Sequence, residues 1–483
     1  MIKKYFPFIA LVLIIFILRL PSFFEPHWYF DEGVYSLFGR AIVEGEIPYQ
    51  YIWDHKPLGI YLIYSLAYMV PFDILIGAKI LAFLSASASS ILLYLIARQG
   101  FPKKVALTAA FIFATLSSLP FFDGNQANGE IFLITPVLLG LYLIEPFSKT
   151  VNLKKLFFAG IAIGAAISIK QVAAVDLALA VVLLTLKEGR YLKNLAALIA
   201  GSVLFPGIIA ILTISLGTSV HDLWFSVVQY NLTYVVSRRL GTLFNFLKII
   251  ALGFVAFVFV KKPKITYSPI ILWFAFDLIG VLTGGQPFPH YLIQILPVSS
   301  LILAVAVTRK YATQLITRIG VIIATFFLFM LANSFFRIVP YGDVFKEWDY
   351  YPSFMKTVIS RDKDAFNSVF SERWGVDRNK KVINFLNEIS EPKDQVYIWG
   401  GGTTAWLYYD LDRRLPSRYI SFIHTDTIPG SEAATINSLE IAKPKFIITT
   451  PRETFPELKK LIEESYAKKE VIADVIIYEL RKQ

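Results

Sequence analysis

The chain has no cysteine among its 483 residues, so no disulfide, thiol nucleophile or thiolate-held metal exists anywhere in it. Histidine numbers only five, and His290 has no second histidine at metal-ligand spacing. Charged residues make up only 17%, and no internal repeat or low-complexity tract is present. The formal charge of +11 forms no continuous basic stripe; the lysines and arginines fall in short clusters between apolar runs, which excludes nucleic acid as partner. What remains is apolar. Hydrophobic residues reach 55%, and the mean hydropathy of +0.57 lies outside the range of ordinary soluble domains. Many Trp and Tyr stand at the ends of apolar runs, where amphipathic rings favour the headgroup zone. The lipid bilayer is the main solvent of this chain.

Reading the runs in order gives a mainly α polytopic membrane protein of about eleven transmembrane helices. Met1-Ile-Lys-Lys precedes an apolar run from Tyr5 to Leu20. No small-residue cleavage site follows it, so it reads as a retained helix with a cytoplasmic N-terminus. The run Leu58 to Val70 is too short for the roughly 20 residues a crossing needs, and is expected to lie at the interface or re-enter. Ten further helices are expected near 74–97, 105–119, 131–147, 156–169, 172–186, 194–216, 243–260, 266–283, 291–308 and 316–335. The loops on one side then carry Arg98, Lys103, Lys104, Lys149, Lys154, Lys155, Lys187, Arg190, Lys193, Lys261, Lys262, Lys264, Arg309, Lys310 and Arg318. The loops on the other carry Arg40, Lys56, Lys170, Arg238 and Arg239, and the asymmetry of fifteen to five makes the first set cytoplasmic. Letting Leu58 to Val70 cross would destroy it. The expected division is a transmembrane module over 1–335, with an outer loop at 24–57, and an extracytoplasmic α/β domain over 336–483. In that domain Gln395 to Trp399, Lys445 to Thr449 and Val471 to Leu480 read as strands. Lys380 to Ile389, Thr403 to Leu411 and Phe455 to Ala467 read as helical.

The polar residues that carry chemistry gather on the outer side. The first outer loop is acidic, with Glu25, Asp31, Glu32, Glu44, Glu46 and Asp54 against Arg40 and Lys56. Asp31 and Glu32 open a helical stretch to Glu44 in which Tyr35, Phe38 and Ile42 recur at helical spacing, a pattern expected to lay the helix on the bilayer surface. Helix capping is the plain alternative for the two acids. The second outer loop brings Asp123, Asn125, Gln126, Asn128 and Glu130, the last at the threshold of an apolar helix. Lys170 and Asp176 flank a short turn and are expected to pair or to snorkel. His290 and Tyr291 stand above a later span.

The ordered set FDEGVY, GEIPYQYIWDHKPLGIYLI, NGEIFLITP, GIAIGAAISIKQ and GGQPFPHYLIQILP resembles the type C (GT-C) glycosyltransferase superfamily, over about residues 5–310. The likeness is to its glycosyltransferase family 39 branch of protein O-mannosyltransferases and lipid A aminoarabinose transferases. It implies transfer of a sugar from a polyprenyl-phosphate-linked donor, with inversion, to a hydroxyl of a glycan, lipid or protein on the outer face of the plasma membrane. MIR domains have no counterpart here, which counts against a protein acceptor. An attacking hydroxyl must lose a proton where the lipid-borne sugar emerges, a role that fits Asp31 with Glu32 beside it. The departing phosphate gains charge, and Lys56, with Arg238 and Arg239, fits that need. Asp54, His55, Asn128, Glu130, His290 and Tyr291 are candidates for orienting the acceptor. Asp31, Glu130 and Asp54 together offer oxygen ligands for a divalent cation such as Mg²⁺ or Mn²⁺. A transporter or flippase of lipid-linked sugars is the competing class, but repeated halves and midplane charges are not evident in the sequence. A receptor whose helices only anchor it needs far fewer spans.

In a chain without cysteine, single introduced thiols test this topology cleanly. Lys103→Cys and Lys261→Cys are expected to be protected from an impermeant thiol reagent in intact cells, and Asp123→Cys to react; reaction of Lys103→Cys overturns the span assignment.

Overall fold

The computed structural model describes residues 2–237, 242–261, 267–284, 288–308, 313–336, 347–401, 403–450 and 454–481. The first part is helical: α1 (Ile2–Arg19), α2 (Phe30–Val43), α3 (Leu58–Tyr68), α4 (Ile74–Gly100), α5 (Lys103–Leu116), α6 (Gly129–Ile144), α7 (Leu153–Ile169), α8 (Ala174–Leu184) and α9 (Tyr191–Ser215). It continues with α10 (Val220–Trp224), α11 (Tyr230–Ser237), α12 (Thr242–Lys261), α13 (Ser268–Thr283), α14 (Leu296–Val307) and α15 (Gln314–Phe336). Each segment expected to span coincides with one of these helices. Among the described residues, four stretches, Tyr5–Phe24, Ile74–Gly100, Tyr191–Ser215 and Pro289–Val307, are long and apolar enough to cross a membrane by length and composition. Local signals set the ends. Asp73 accepts the Leu75 N–H at 2.8 Å to cap α4, and Asn128 accepts the Gly129 N–H at 2.7 Å to start α6. Helices α7 and α9 meet through glycines: a Cβ on Gly160 would stand 2.1 Å from the Leu198 carbonyl oxygen, and one on Gly201 2.0 Å from that of Phe157. Small residues allow this backbone approach, which supplies packing where lipid gives no hydrophobic drive.

Helix α2 departs from expectation. Tyr35 and Phe38 do not face the bilayer; both are fully buried. Phe38 stacks on Tyr61 of α3 with ring centroids 3.8 Å apart, and Tyr35 meets Tyr64 at 5.4 Å. The short helix α3 supplies an aromatic face, and burying two large rings against it outweighs laying them among headgroups.

The C-terminal part follows as α16 (Glu347–Ser360), α17 (Lys363–Trp374), α18 (Val376–Ile389), β1 (Val396–Trp399), α19 (Thr404–Leu411), α20 (Phe422–Thr427), α21 (Ser431–Ala442), β2 (Phe446–Thr449), α22 (Pro456–Ser465), β3 (Tyr466–Ile472) and β4 (Val475–Leu480). The strands form one sheet in the order β1-β2-β4-β3. β1 runs parallel to β2, and β4 is antiparallel to both β2 and β3. The stretch Val471 to Leu480, expected as one strand, is the end of β3, a turn and β4. Ala473 makes that turn at φ 54°, a left-handed conformation that an alanine does not advertise in sequence. Tyr466 and Ala467, expected at a helix end, begin β3.

A buried ionic network ties these parts together. Lys79 on α4 lies 2.7 Å from Glu32 and 3.4 Å from Glu25, and donates to the Asn125 carbonyl and the Gln126 side chain, both at 2.9 Å. Glu25 also accepts from Asn125 at 2.7 Å, Trp28 at 2.9 Å and Tyr350 of α16 at 2.5 Å, while Glu32 accepts the Ala127 N–H at 2.6 Å. Removing the cation strands two carboxylates away from water. Lys79→Met is therefore expected to destabilise the protein by about 3–5 kcal/mol, read as a fall in the thermal unfolding midpoint in detergent, with partial recovery in Lys79→Met/Glu25→Gln.

Candidate active site

The first turn of α2 begins at Tyr29, whose side chain makes no cap. Asp31 and Glu32 lie inside that turn, so neither is the N-cap. Their side chains diverge, as neighbours about 100° apart on a helix must. Glu32 turns inward to Lys79. Asp31 turns toward a layer of polar residues assembled from five separate segments.

Lys56 Nζ stands 3.9 Å from Asp31 and 3.5 Å from Asp54, with the Tyr35 ring centroid 5.0 Å below it. Asp54 is fully committed: Tyr61 donates its hydroxyl at 2.8 Å, the His55 N–H donates at 2.7 Å, and His55 Nδ1 lies 2.9 Å away. The Lys56 carbonyl accepts the Tyr49 hydroxyl at 2.7 Å, which fixes the turn carrying the lysine. From the second outer loop, Asn128 donates to the Tyr29 hydroxyl at 3.0 Å, and that hydroxyl lies 3.3 Å from His290 Nδ1. His290 in turn pairs with Asp123 at 3.0 Å. Glu130 pairs with Lys170, whose ammonium lies 4.8 Å from the Tyr291 ring centroid. Gln171 and Asn231 both donate to the His55 carbonyl at 2.8 Å, closing the cluster from the side of α11.

Among these acids Asp31 differs. Its side chain is 24% exposed, against 4% for Asp54, 2% for Glu130 and none for Glu32. Among the described residues it accepts no hydrogen bond, so its lone pairs are open. Burial works to raise its pKa, but the fields of Lys56, His290 and Lys170 outweigh this and hold the carboxyl below its ordinary value. It is ionised at neutral pH. Burial likewise opposes ionisation of Asp54, yet Lys56 and His55 hold it well below the carboxylate range. Burial and Lys56 together depress His55, leaving a neutral imidazole. Glu32 moves the other way, raised by burial against the pull of Lys79.

The structure thus gathers Asp31, Lys56, Asp54, His55, Asn128, Glu130, His290 and Tyr291, and directs Glu32 to the ionic network behind them. Arg238 and Arg239 lie outside the described residues. Lys56 is buried and not the exposed lysine that its loop position implies, because the α2–α3 aromatic face closes beneath it. Lys170 pairs with Glu130 and not with Asp176, which accepts from Gln294 at 3.1 Å. The oxygens of Asp31, Glu130 and Asp54 do not fit a divalent cation: the last two are held by lysines, and no group of three metal-ligating side chains occurs among the described residues. Asn231-Leu-Thr233 is a glycosylation sequon, and the Asn231 amide nitrogen is engaged, donating to the carbonyls of His55, Ser226 and Val227. Residues that sequence reading passed over are Tyr29, Tyr61, Gln171 and above all Lys79. A lysine within the otherwise apolar α4 is a detectable signal, because such a charge needs a buried partner.

Residues 54–214 match the family model described as dolichyl-phosphate-mannose-protein mannosyltransferase. The fold is similar to that of ArnT from Cupriavidus metallidurans bound to undecaprenyl phosphate, at TM-score 0.62 and 12% identity over 99% of this chain and 98% of that one. The apo form of the same protein aligns at TM-score 0.59 and 12% identity, over 98% and 96%. No curated protein matches in sequence. The likeness to the type C superfamily read from the motifs is borne out by both the family model and the fold.

Proposed function

We propose that this chain is an integral membrane glycosyltransferase that moves a sugar from a polyprenyl-phosphate carrier to an acceptor hydroxyl on the outer face of the membrane, with Asp31 as general base. The observation that carries the reading is the singular state of Asp31. It is the one acid of the cluster that combines exposure, open lone pairs and a surrounding set of cations. A base must offer a lone pair that is both unengaged and reachable; both oxygens of Asp54 accept hydrogen bonds, and the unengaged oxygens of Glu130 and Glu32 are sealed from solvent.

The acceptor oxygen attacks the anomeric carbon as the bond from that carbon to the carrier phosphate breaks. Its proton passes to Asp31, and the polyprenyl phosphate departs with the bonding electrons. A single displacement of this kind inverts the anomeric centre. Lys56 and Lys170 border the space before Asp31, and a fixed cation there lowers the barrier most where the phosphate gains charge. Undecaprenyl phosphate is what ArnT was crystallised with, and dolichyl-phosphate mannose names the matching family; both favour a carrier of this chemistry. The basic asymmetry of the loops favours an N-terminus in the cytoplasm, eleven crossings and a site that opens outward.

Asp31→Asn keeps size and polarity and removes basicity. It is expected to lower single-turnover transfer from a synthetic polyprenyl-phosphate sugar by about 10² to 10⁴ while the thermal midpoint holds. Glu32→Gln is expected to do the reverse, costing stability more than chemistry. Near-normal transfer by Asp31→Asn would sink the assignment. For Lys56 the sign follows from its field: it is the strongest of the cationic influences lowering Asp31, so Lys56→Met raises that pKa. The acid limb of kcat/KM then moves to higher pH, and KM for the donor rises; a pH–rate profile superimposable on the parent's removes Lys56 from the site. Lys56→Arg is expected to restore only part of both, since a forked guanidinium is not a point charge.

A further inference from the structure

The outer domain reaches the back of the turn that carries Asp31. Trp406 of α19 is buried and donates its indole N–H to the Tyr29 carbonyl at 2.8 Å. That carbonyl is the one that opens α2, since it also accepts the Gly33 N–H at 3.1 Å. The approach depends on glycine: a Cβ on Gly33 would stand 3.0 Å from Trp406 Cδ1 and 3.1 Å from the Ala405 Cβ. His27 stacks flat on the indole, ring centroids 4.0 Å apart and planes 12° from parallel. The same imidazole is held on both edges, by Asp410 of the outer domain at 2.7 Å and by Asp73 at the N-cap of α4 at 3.3 Å.

We infer that the outer domain is a positioning part of the catalytic unit, in which the Trp406–His27 wedge sets the first turn of α2 and through it the aim of Asp31. The inference rests on the reading of Asp31 as the base. Tyr29 is the connecting residue. Its carbonyl is held by Trp406 and its hydroxyl faces His290 and Asn128 across the site, so a shift of the indole moves a residue with one end in each layer. Asp31 follows two positions later on the same turn.

The domain does not hang on this wedge alone. Arg40 donates to the Tyr409 carbonyl at 3.1 Å and pairs with Asp412 at 3.0 Å. The Leu415 N–H donates to the Tyr51 hydroxyl at 3.1 Å, and the Trp53 N–H to the Arg418 carbonyl at 3.0 Å. Residues 405–418 are therefore bound along much of the first outer loop, and removing one indole hydrogen bond leaves the domain in place. That separation makes Trp406→Phe, which keeps an aromatic ring on His27 and loses only the donor, a test of positioning and not of attachment.

His27 adds a second readout. Burial works against the imidazolium, but hydrogen bonds to Asp410 and Asp73 outweigh it and push the pKa up to about 9. The groups facing it are those two acids, the neutral Tyr409 at 5.9 Å between ring centroids, and Glu25 and Lys380 around a cavity of about 410 Å³. A raised histidine pKa means that the cationic bridge is complete below the ordinary value of 6.5 and is lost as pH rises through about 9.

The experiment uses the full chain in lipid nanodiscs. In an Asp31→Cys background, the rate of thiol modification by a small charged methanethiosulfonate is measured with and without Trp406→Phe, with Thr150→Cys as a remote control. Trp406→Phe is expected to change the rate at position 31 several-fold and leave the control unaltered. With Asp31 intact, Trp406→Phe is expected to lower kcat by about tenfold or more, given that a 1 Å misplacement costs roughly 10² in rate, at unchanged donor KM and thermal midpoint. The parent is expected to lose kcat as pH rises through about 9, and His27→Gln to abolish that fall. Unchanged thiol reactivity together with unchanged kcat overturns the inference, as does a loss of kcat that only tracks a loss of thermal stability. If Asp31→Asn proves active while the thiol rate still responds to Trp406→Phe, the catalytic reading fails and the wedge stands.

Discussion

A lysine buried among apolar helices is the constraint on which this structure depends. Two unit charges about 4 Å apart interact by about 4 kcal/mol at an effective dielectric near 20, so a buried ammonium needs close anionic partners and they need it. Lys79 meets that need by drawing Glu25 and Glu32 from the first outer loop and two acceptors, the Asn125 carbonyl and the Gln126 side chain, from the second. Two separate loops are thereby fixed against α4 at one point. The surplus negative charge is spread over donors from Asn125, Trp28, Tyr350 and the Ala127 backbone. Charge-assisted hydrogen bonds of this kind are stronger than neutral ones, and they carry the geometry outward to α16.

The consequence for Asp31 follows from helix geometry. Once Glu32 is committed to the interior, the residue before it must point elsewhere by about 100°, and Asp31 points to the polar layer that holds Lys56 and His290. An adjacent pair of acids is in this way divided between two tasks. One is sealed and holds the fold. The other keeps water access and open lone pairs. The polar layer repeats the principle on a smaller scale: Asp54 and Glu130 are held by cations and donors, and in being so held they place Lys56 and Lys170 at the edges of the space before Asp31.

Hydropathy located each helix expected to span, because spanning length and apolar composition are properties of a single segment. Asp31, Lys56, His290 and their neighbours were legible for a similar reason: they are polar residues grouped at the ends of such segments. What escaped the sequence is pairwise. Nothing local distinguishes the roles of Asp31 and Glu32, which depend on Lys79 lying 47 positions away in the chain (79 minus 32). The burial of Lys56, the inward face of α2 and the pairing of Lys170 with Glu130 all depend on which neighbouring element arrives. The turn at Ala473 was missed because the residue that adopts the left-handed conformation is neither glycine nor asparagine.

The position of the C-terminal part completes this logic. A short helix with an open end frays, and α2 begins at Tyr29 without a side-chain cap. Rigidity in the turn that carries Asp31 must come from outside the helix, and two contacts supply it from opposite sides. Lys79 holds the turn from within the membrane part through Glu32, and Trp406 holds it from the C-terminal part through the Tyr29 carbonyl. His27 joins the two anchors, since it bridges the N-cap of α4 and the helix that carries Trp406. A side chain seated on a turn pinned from both faces loses little further freedom when substrate arrives, and that is the condition under which a single carboxylate acts as an oriented base.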